Sequence, residues 1–312
     1  MRDASFHLLD RAAWPRSEHF DYYIRTVKCR YDLTAHLTVT ALRERGKALG
    51  LRFYPLLLYI AARAINANRE FRMGFNEHGA PGYWDFINPS YTIFHDDDKT
   101  FSDVWSEYDE SFPVFYQNVL HDMETYKDIK GVRAKPGRPA NCCPMSALPW
   151  LSFTGMAHVQ ATEPPFLPPI ITFGKYFAQG PDTLLPIAVS VHHAAADGYH
   201  TSKLINDMQA LAASSDQWMR PWCLRHMRKP GCAPQQGRAG LAFFPLRPYP
   251  IHCNTQTSGR KCLPNHPEDT SCPSRFMPVS APYWFWSCWL SPMVRPTPLV
   301  SAVAVPSADA RP

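Results

Sequence analysis

Two adjacent histidines followed by an acid and a glycine, His192-His193-Ala194-Ala195-Ala196-Asp197-Gly198, have the residue types and spacing best suited to chemistry in this chain. A neutral, oriented imidazole is a general base near pH 7. The residues before the pair read as a strand over 184–193, whose side chains alternate between faces. By that alternation Leu185, Ile187, Val189, Val191 and His193 share one apolar face, and Leu184, Pro186, Ala188, Ser190 and His192 share the other. His193 is therefore expected to end the buried face, where desolvation lowers its pKa and keeps it neutral. Gly198 allows a tight turn into the next helix. On the pair alone a structural reading stays open: hydrogen-bonded imidazoles closing a strand. Metal chelation is disfavoured, because neighbours on a strand point to opposite faces and no Cys or carboxylate cluster stands nearby.

The elements that must hold this stretch follow from periodicity. Segment 17–26 opens a short helix with Ser17 as its cap, and 27–40 reads as a strand. Helices are expected over 40–49 and 53–68, the second with Pro55 in its first turn. Segment 70–86, with Gly74, Gly79, Pro81 and Gly82, reads as a hairpin, and 91–95 as a strand. Over 109–126, Phe112, Phe115, Tyr116, Val119, Leu120 and Met123 recur on one helical face. Segment 127–140 is a loop, 146–154 and 170–177 are strands, and 199–213 is a closing amphipathic helix. No strict strand–helix–strand rhythm runs through this order. The fold class is therefore α/β, a two-layer sandwich with a mixed β-sheet rather than a doubly wound parallel one. There is no internal repeat, no GxGxxG, no GxxxxGK and no CxxC pair.

Composition divides the chain in two. The 93 residues from Arg220 on hold 16 of the 31 Pro, 6 of the 9 Cys and 11 Lys and Arg against 3 Asp and Glu. Residues 1–219 carry 21 basic and 24 acidic side chains, net −3. That excludes a domain-wide positive field for nucleic acid. Three thiols in so long a segment point to a reducing compartment, and no signal peptide or membrane-spanning run is visible. The expectation is a cytoplasmic protein with no nucleic-acid or membrane partner and no metal.

The segment VHHAAADGYHTSKLINDMQAL resembles the signature of the trimeric chloramphenicol acetyltransferases. The resemblance extends over nearly all of 1–218. WPRSEHFDYY (14–23), RFYPLLLYIAARAINANREFRM (52–73), YTIFHDDDKTFSDVWSEYDESF (91–112), SALPWLSFT (146–154) and PPIITFGKYFAQG (168–180) are similar to its other blocks, in order. It implies the CoA-dependent acyltransferase fold and a 1–218 catalytic domain. It also implies transfer of an acetyl group from acetyl-CoA, a co-substrate rather than a bound cofactor, to the 3-hydroxyl of chloramphenicol, with no acyl-enzyme.

The roles that the resemblance implies are carried over by position. His193 is the general base, Ser146 the donor to the oxyanion, and Thr172 an aid to the same intermediate through water. Asp197 pairs with Arg16 and holds the site's architecture. Tyr22, Tyr23, Cys29, Phe101 and Phe166 line the acceptor pocket, although each taken alone reads first as core. Tyr54 and Tyr176 stand near CoA, and Arg52 and Lys175 meet its phosphates or are simply solvated. The family's assembly is a homotrimer with each site at a subunit interface. Two stretches depart from the family: 153–169, which borders the acceptor pocket, and the three alanines between His193 and Asp197. A drug-sequestering binding protein and a dihydrolipoyl acyltransferase-like enzyme with another acceptor are the alternatives.

Residues 219–312 have no counterpart in the family. A cationic, aromatic tail for a partner or membrane surface is one reading, and a zinc module without CxxC pairs another. Composition favours a third: an out-of-frame or read-through extension, disordered and dispensable.

Overall fold

The computed structural model describes residues 3–158 and 165–220. The expectations for the tail beyond Arg220 lie outside the described residues. In chain order the elements are β1 (Phe6–Leu8), α1 (Ser17–Asp21) running into a π-helical turn (Tyr22–Val27), β2 (Arg30–Thr38), α2 (Thr40–Ala48), α3 (Phe53–Ala67), β3 (Met73–Phe75), β4 (Pro81–Trp84), β5 (Asn88–His95), β6 (Thr100–Trp105), α4 (Phe112–Tyr126), β7 (Cys142–Ala147), β8 (Ile170–Phe173), β9 (Phe177–Gln179), β10 (Asp182–His192), α5 (Gly198–Ala213) and α6 (Ser215–Trp218). The main sheet runs β2-β10-β8-β7-β5-β6, with β9 also on β10. Its β5–β7 and β7–β8 pairs are parallel and the rest antiparallel, so the sheet is mixed as expected. A small antiparallel sheet, β1-β4-β3, carries the expected hairpin.

Helices α2 to α5 form the second layer. Helix α3 is apolar on nearly every side and lies in the middle of it, with Leu56, Leu58, Ile60 and Ile65 fully buried. Each such side chain stabilises the fold by about 1.5–3 kcal/mol. Beneath it, Tyr91 of β5, Ile171 of β8 and Ile187 and Val189 of β10 close the same core. The opposite sheet face is polar: Asp32, Thr34, Ser90, Thr92, Ser146, Thr172 and Ser190 lie on it.

Several expectations needed correction. Arg16, not Ser17, is the residue before α1, and the Ser17 hydroxyl instead accepts a bond from Arg11 Nε at 2.8 Å. The strand expected at 146–154 lies at Cys142–Ala147, because parallel pairing with β5 begins at Asn88↔Cys142. The strand expected at 170–177 is two strands, since the chain turns between Phe173 and Phe177 as Gly174 N–H bonds Pro186 O. Strand β6 was not foreseen. Its inward Ser102, held by His95 and by the Ile129 carbonyl, breaks the apolar alternation that would have marked it.

The described fold ends in its own core. The Trp218 ring lies 4.9 Å from those of Tyr59 and Phe112, and Met219 is fully buried. A chain ending at Met219 is therefore expected to keep the denaturation midpoint of the full chain. One ending at Gln217 should lose about 3–5 kcal/mol with the Trp side chain. A collapsed midpoint in the Met219-ended chain would show that later residues stabilise the domain.

Candidate active site

Strand β10 ends at His192, and the chain then turns through Ala194 and Ala195 into α5. Asp197 caps α5, accepting from Tyr199 N at 3.1 Å and sitting 2.7 Å from His200 Nδ1. Its other oxygen meets the Arg16 guanidinium, whose second nitrogen donates to the His193 carbonyl at 3.2 Å. Arg16 thus ties the start of α5 to His193, the residue that follows the strand. Burial alone would raise the Asp197 carboxyl, but the His200 hydrogen bond and the nearby Arg16 charge hold it below the usual range. Ala194 and Ala195 pack with Trp14, Phe20 and Leu167, where small side chains let the turn sit against those groups, while Ala196 joins the main core.

The His193 ring lies flat on Tyr23, centroids 3.7 Å apart and planes 6° apart. Its backbone N–H bonds the Cys29 carbonyl at 3.1 Å. Nδ1 is buried with no hydrogen-bond partner among the described residues, which leaves Nε2 as the nitrogen a substrate can approach. Tyr31 stands 5.0 Å away, its hydroxyl 2.6 Å from Thr201 on α5. Of the residues expected in the site, Arg16, Tyr22, Tyr23, Cys29, His193 and Asp197 come together here. Tyr22 touches Tyr23 edge-on at 5.1 Å, and both lie in the π-helical turn.

The buried member of the histidine pair is His192, 5% exposed, while His193 is only partly buried. This corrects the parity argument. Both faces of β10 are covered, and regular alternation stops before His193. Burial first, then the Arg30 and His193 charges, push the His192 pKa down to about 4. A histidine held neutral in the fold but protonated near 6.5 when unfolded makes stability fall as pH drops from about 6.5 to 4. The expected loss is about 2–3 kcal/mol across that window. Urea midpoints against pH check it: His192→Gln should flatten the profile there, and an unchanged profile would refute the assignment.

Ser146 and Thr172 form a second group. They are register partners across β7 and β8, and Thr172 pairs in turn with Ala188 of β10. Among the described residues the Ser146 hydroxyl makes only a long contact, 3.4 Å to Thr92 Oγ1. Thr172 Oγ1 lies 3.3 Å from His158 Nε2, and His158 Nδ1 lies 3.3 Å from Asp32 Oδ1. Sequence reasoning missed His158, Asp32, His200 and Thr201. His200 and Thr201 stand in the quoted signature segment and His158 in the stretch that departs from the family, while Asp32 left no signal. Phe101 is paired with Phe94 across β5 and β6 and is half exposed, and the exposed Trp150 ring packs edge-on against Phe94 at 4.6 Å. The Phe166 carbonyl accepts from Arg30 Nη1 at 2.6 Å.

The two groups are not within reach of each other. Ala188 lies in the Ser146 row, and His193 is five residues further along. At about 3.3 Å per residue and 4.8 Å per strand, the two Cα atoms are roughly 19 Å apart. Among the described residues no hydrogen bond or ring contact joins them.

The residues expected near CoA form a third cluster. The Tyr176 ring meets Phe53 at 5.9 Å and the Arg43 guanidinium at 4.8 Å, with exposed Lys175 and Arg52 beside it. Tyr54 is turned inward, its hydroxyl buried and its ring against Tyr91. Burial raises its pKa, so it stays a neutral phenol. Among the described residues no group of three or more His, Cys, Asp or Glu is placed to hold a metal, and no helix is long and apolar enough to cross a membrane.

The family model for chloramphenicol acetyltransferase matches residues 4–209. A chloramphenicol acetyltransferase of Clostridium perfringens is 44% identical over 214 residues, 69% of this chain and 98% of that relative. One from Staphylococcus aureus is 34% identical over 215 residues, 69% of this chain and all of its own length. Among solved structures, a chloramphenicol acetyltransferase aligns with a TM-score of 0.60 at 23% identity, covering 67% of this chain and all of that one, which shows the fold.

Proposed function

The chain belongs to the chloramphenicol acetyltransferase family, and from that premise we propose how its residues carry acetyl transfer from acetyl-CoA to the 3-hydroxyl of chloramphenicol. His193 Nε2 takes the hydroxyl proton as the oxygen attacks the thioester carbonyl. The tetrahedral intermediate's oxyanion accepts a hydrogen bond from Ser146, and Thr172 assists through water. Collapse breaks the carbon–sulfur bond, and the His193 imidazolium returns its proton to the departing CoA thiolate. No protein atom is acylated. The observation that carries the reading is the Arg16–Asp197 pair gripping the His193 carbonyl while the ring lies on Tyr23. A protein that only sequestered the drug would have no need to orient that imidazole.

Arg16 and Asp197 position the base. Tyr22, Tyr23, Cys29, Phe101 and Phe166 border the acceptor, and Tyr176, Arg52, Lys175 and the inward Tyr54 border CoA. The enzyme works in the cytoplasm, where acetyl-CoA is made, with 1–218 as the catalytic domain and the tail dispensable. Because His193 and Ser146 lie too far apart in one chain to touch one carbonyl, His193 serves the Ser146 row of a neighbouring copy in a homotrimer. Exposed Phe101, Trp150 and Leu151 beside that row favour burial by such a neighbour.

Subunit mixing tests the shared site. His193→Ala and Ser146→Ala chains are refolded separately and together, and CoA thiol release is measured with both substrates. Each alone should be near background. Together, roughly a quarter of the interfaces at equal mixing pair an intact His193 with an intact Ser146. A mixture no more active than its parts would place the whole site within one chain.

A further inference from the structure

We infer that His158 is a positioning residue for acetyl transfer, orienting the Thr172 hydroxyl through a relay that begins at Asp32. The inference rests on the reading of Thr172 just given and adds what sets the direction of its hydrogen bonds.

The segment bearing His158 is pinned to β2 by two backbone bonds. Met156 N–H donates to Thr34 Oγ1 at 3.3 Å, and His158 N–H to Asp32 Oδ1 at 3.2 Å. The imidazole is thereby lodged between two strands. Its Nδ1 lies 3.3 Å from Asp32 Oδ1, and its Nε2 lies 3.3 Å from Thr172 Oγ1. The Asp32 and His158 side chains are mostly buried, and Thr172 almost wholly so.

In the neutral form of His158 one polarity satisfies every partner: the Asp32 carboxylate accepts from Nδ1–H, and Nε2 is then an acceptor. Thr172 must supply the hydrogen. Its hydroxyl proton is committed to His158, and its oxygen is left to accept. A water bound to that oxygen must donate one hydrogen to Thr172, and its second hydrogen is free for the oxyanion. Without His158 the Thr172 hydroxyl and the water on it are free to rotate, so the direction of the water's hydrogens at the developing charge is no longer fixed in advance. The relay thus fixes one orientation, with a water hydrogen toward the oxyanion, before the reaction begins, in a partly desolvated place where such bonds are stronger. His158 touches no reacting atom; it acts only through Thr172.

The test is a double-mutant cycle on the full chain, with His158→Leu, Thr172→Val, the double variant and His158→Gln. Initial rates give kcat and KM for both substrates, and thermal midpoints confirm folding. His158→Leu and Thr172→Val are each expected to lower kcat roughly 10-fold, with either KM changed less than about twofold. The double variant should be no slower than Thr172→Val alone, since both changes remove one device. His158→Gln should recover most of the rate, because its amide offers a donor to Asp32 and an acceptor to Thr172. Should His158→Leu fail to fold, the Gln variant decides, with a 10-fold loss there refuting the relay. Multiplying losses in the double variant would also overturn it. So would a raised chloramphenicol KM at unchanged kcat, which would make His158 a pocket wall. Wild type and His193→Ala are assayed alongside. No His193-dependent thiol release in folded wild type would sink the base assignment and the relay with it, whereas independent losses at 158 and 172 sink the relay alone.

Discussion

His193→Ala is expected to lower kcat for chloramphenicol acetylation roughly 10⁴-fold, the upper range for removal of a general base, with both KM values little changed. The size follows from the absence of a substitute. His192 is next in sequence, but it is buried, its Nδ1 accepts from Ala194 N at 3.2 Å, and its pKa lies near 4. It is neutral at pH 7, yet its ring is committed inside the fold. The Tyr31 hydroxyl is protonated at neutral pH, its pKa pushed up to about 12 by burial. What remains is hydroxide from solvent, so residual activity in the variant should climb steadily with pH where wild type levels off. The Ala variant should keep the wild-type denaturation midpoint, because His193 contributes a stacked ring rather than a core side chain. Stopped-flow thiol release measures the step. A variant retaining a tenth of wild-type kcat would require another base and a different account of the site.

Ser146→Ala should cost about 10²–10³ in kcat, the usual consequence of losing one oxyanion donor. Among the described residues the hydroxyl has only the 3.4 Å approach to Thr92. Its hydrogen is therefore available to a charge that develops only during the reaction. For the same reason KM should hardly move: the ground-state carbonyl makes a weaker demand on that hydrogen than the oxyanion does. The backbone of β7 at Ser146 is held by its pairing with Thr172, so the Ala variant should fold normally. If chloramphenicol KM rose while kcat held, Ser146 would be a contact for the drug and not for the intermediate.

Much of this was legible in order along the chain. The apolar helix at 53–68, the hairpin at 70–86 and the closing helix at 199–213 have strong local periods, and the structure has them within a residue or two at most ends. The joining of Arg16 to Asp197, 181 positions apart, was expected from the family resemblance and is present. Elements whose shape depends on a partner strand were harder. β6 alternates polar and apolar residues without a clean face, because Ser102 is satisfied by groups far along the chain. The extent of β7 depends on where β5 stands.

The histidine pair shows where the division falls. Residue types and spacing alone placed two histidines, an acid and a turn-forming glycine at the end of a strand before a helix, since those are local properties. Which imidazole is buried was decided by the tertiary structure. Burial depends on what covers both faces of β10, and the side-chain alternation that sequence reasoning relies on ends with the strand. The separation of His193 from Ser146 was decided there too. It follows from strand order and register, and those are set by pairing energies between segments distant in the chain. The contact of His158 with Asp32 and Thr172 has the same origin, joining positions 126 and 14 residues apart that no local period connects.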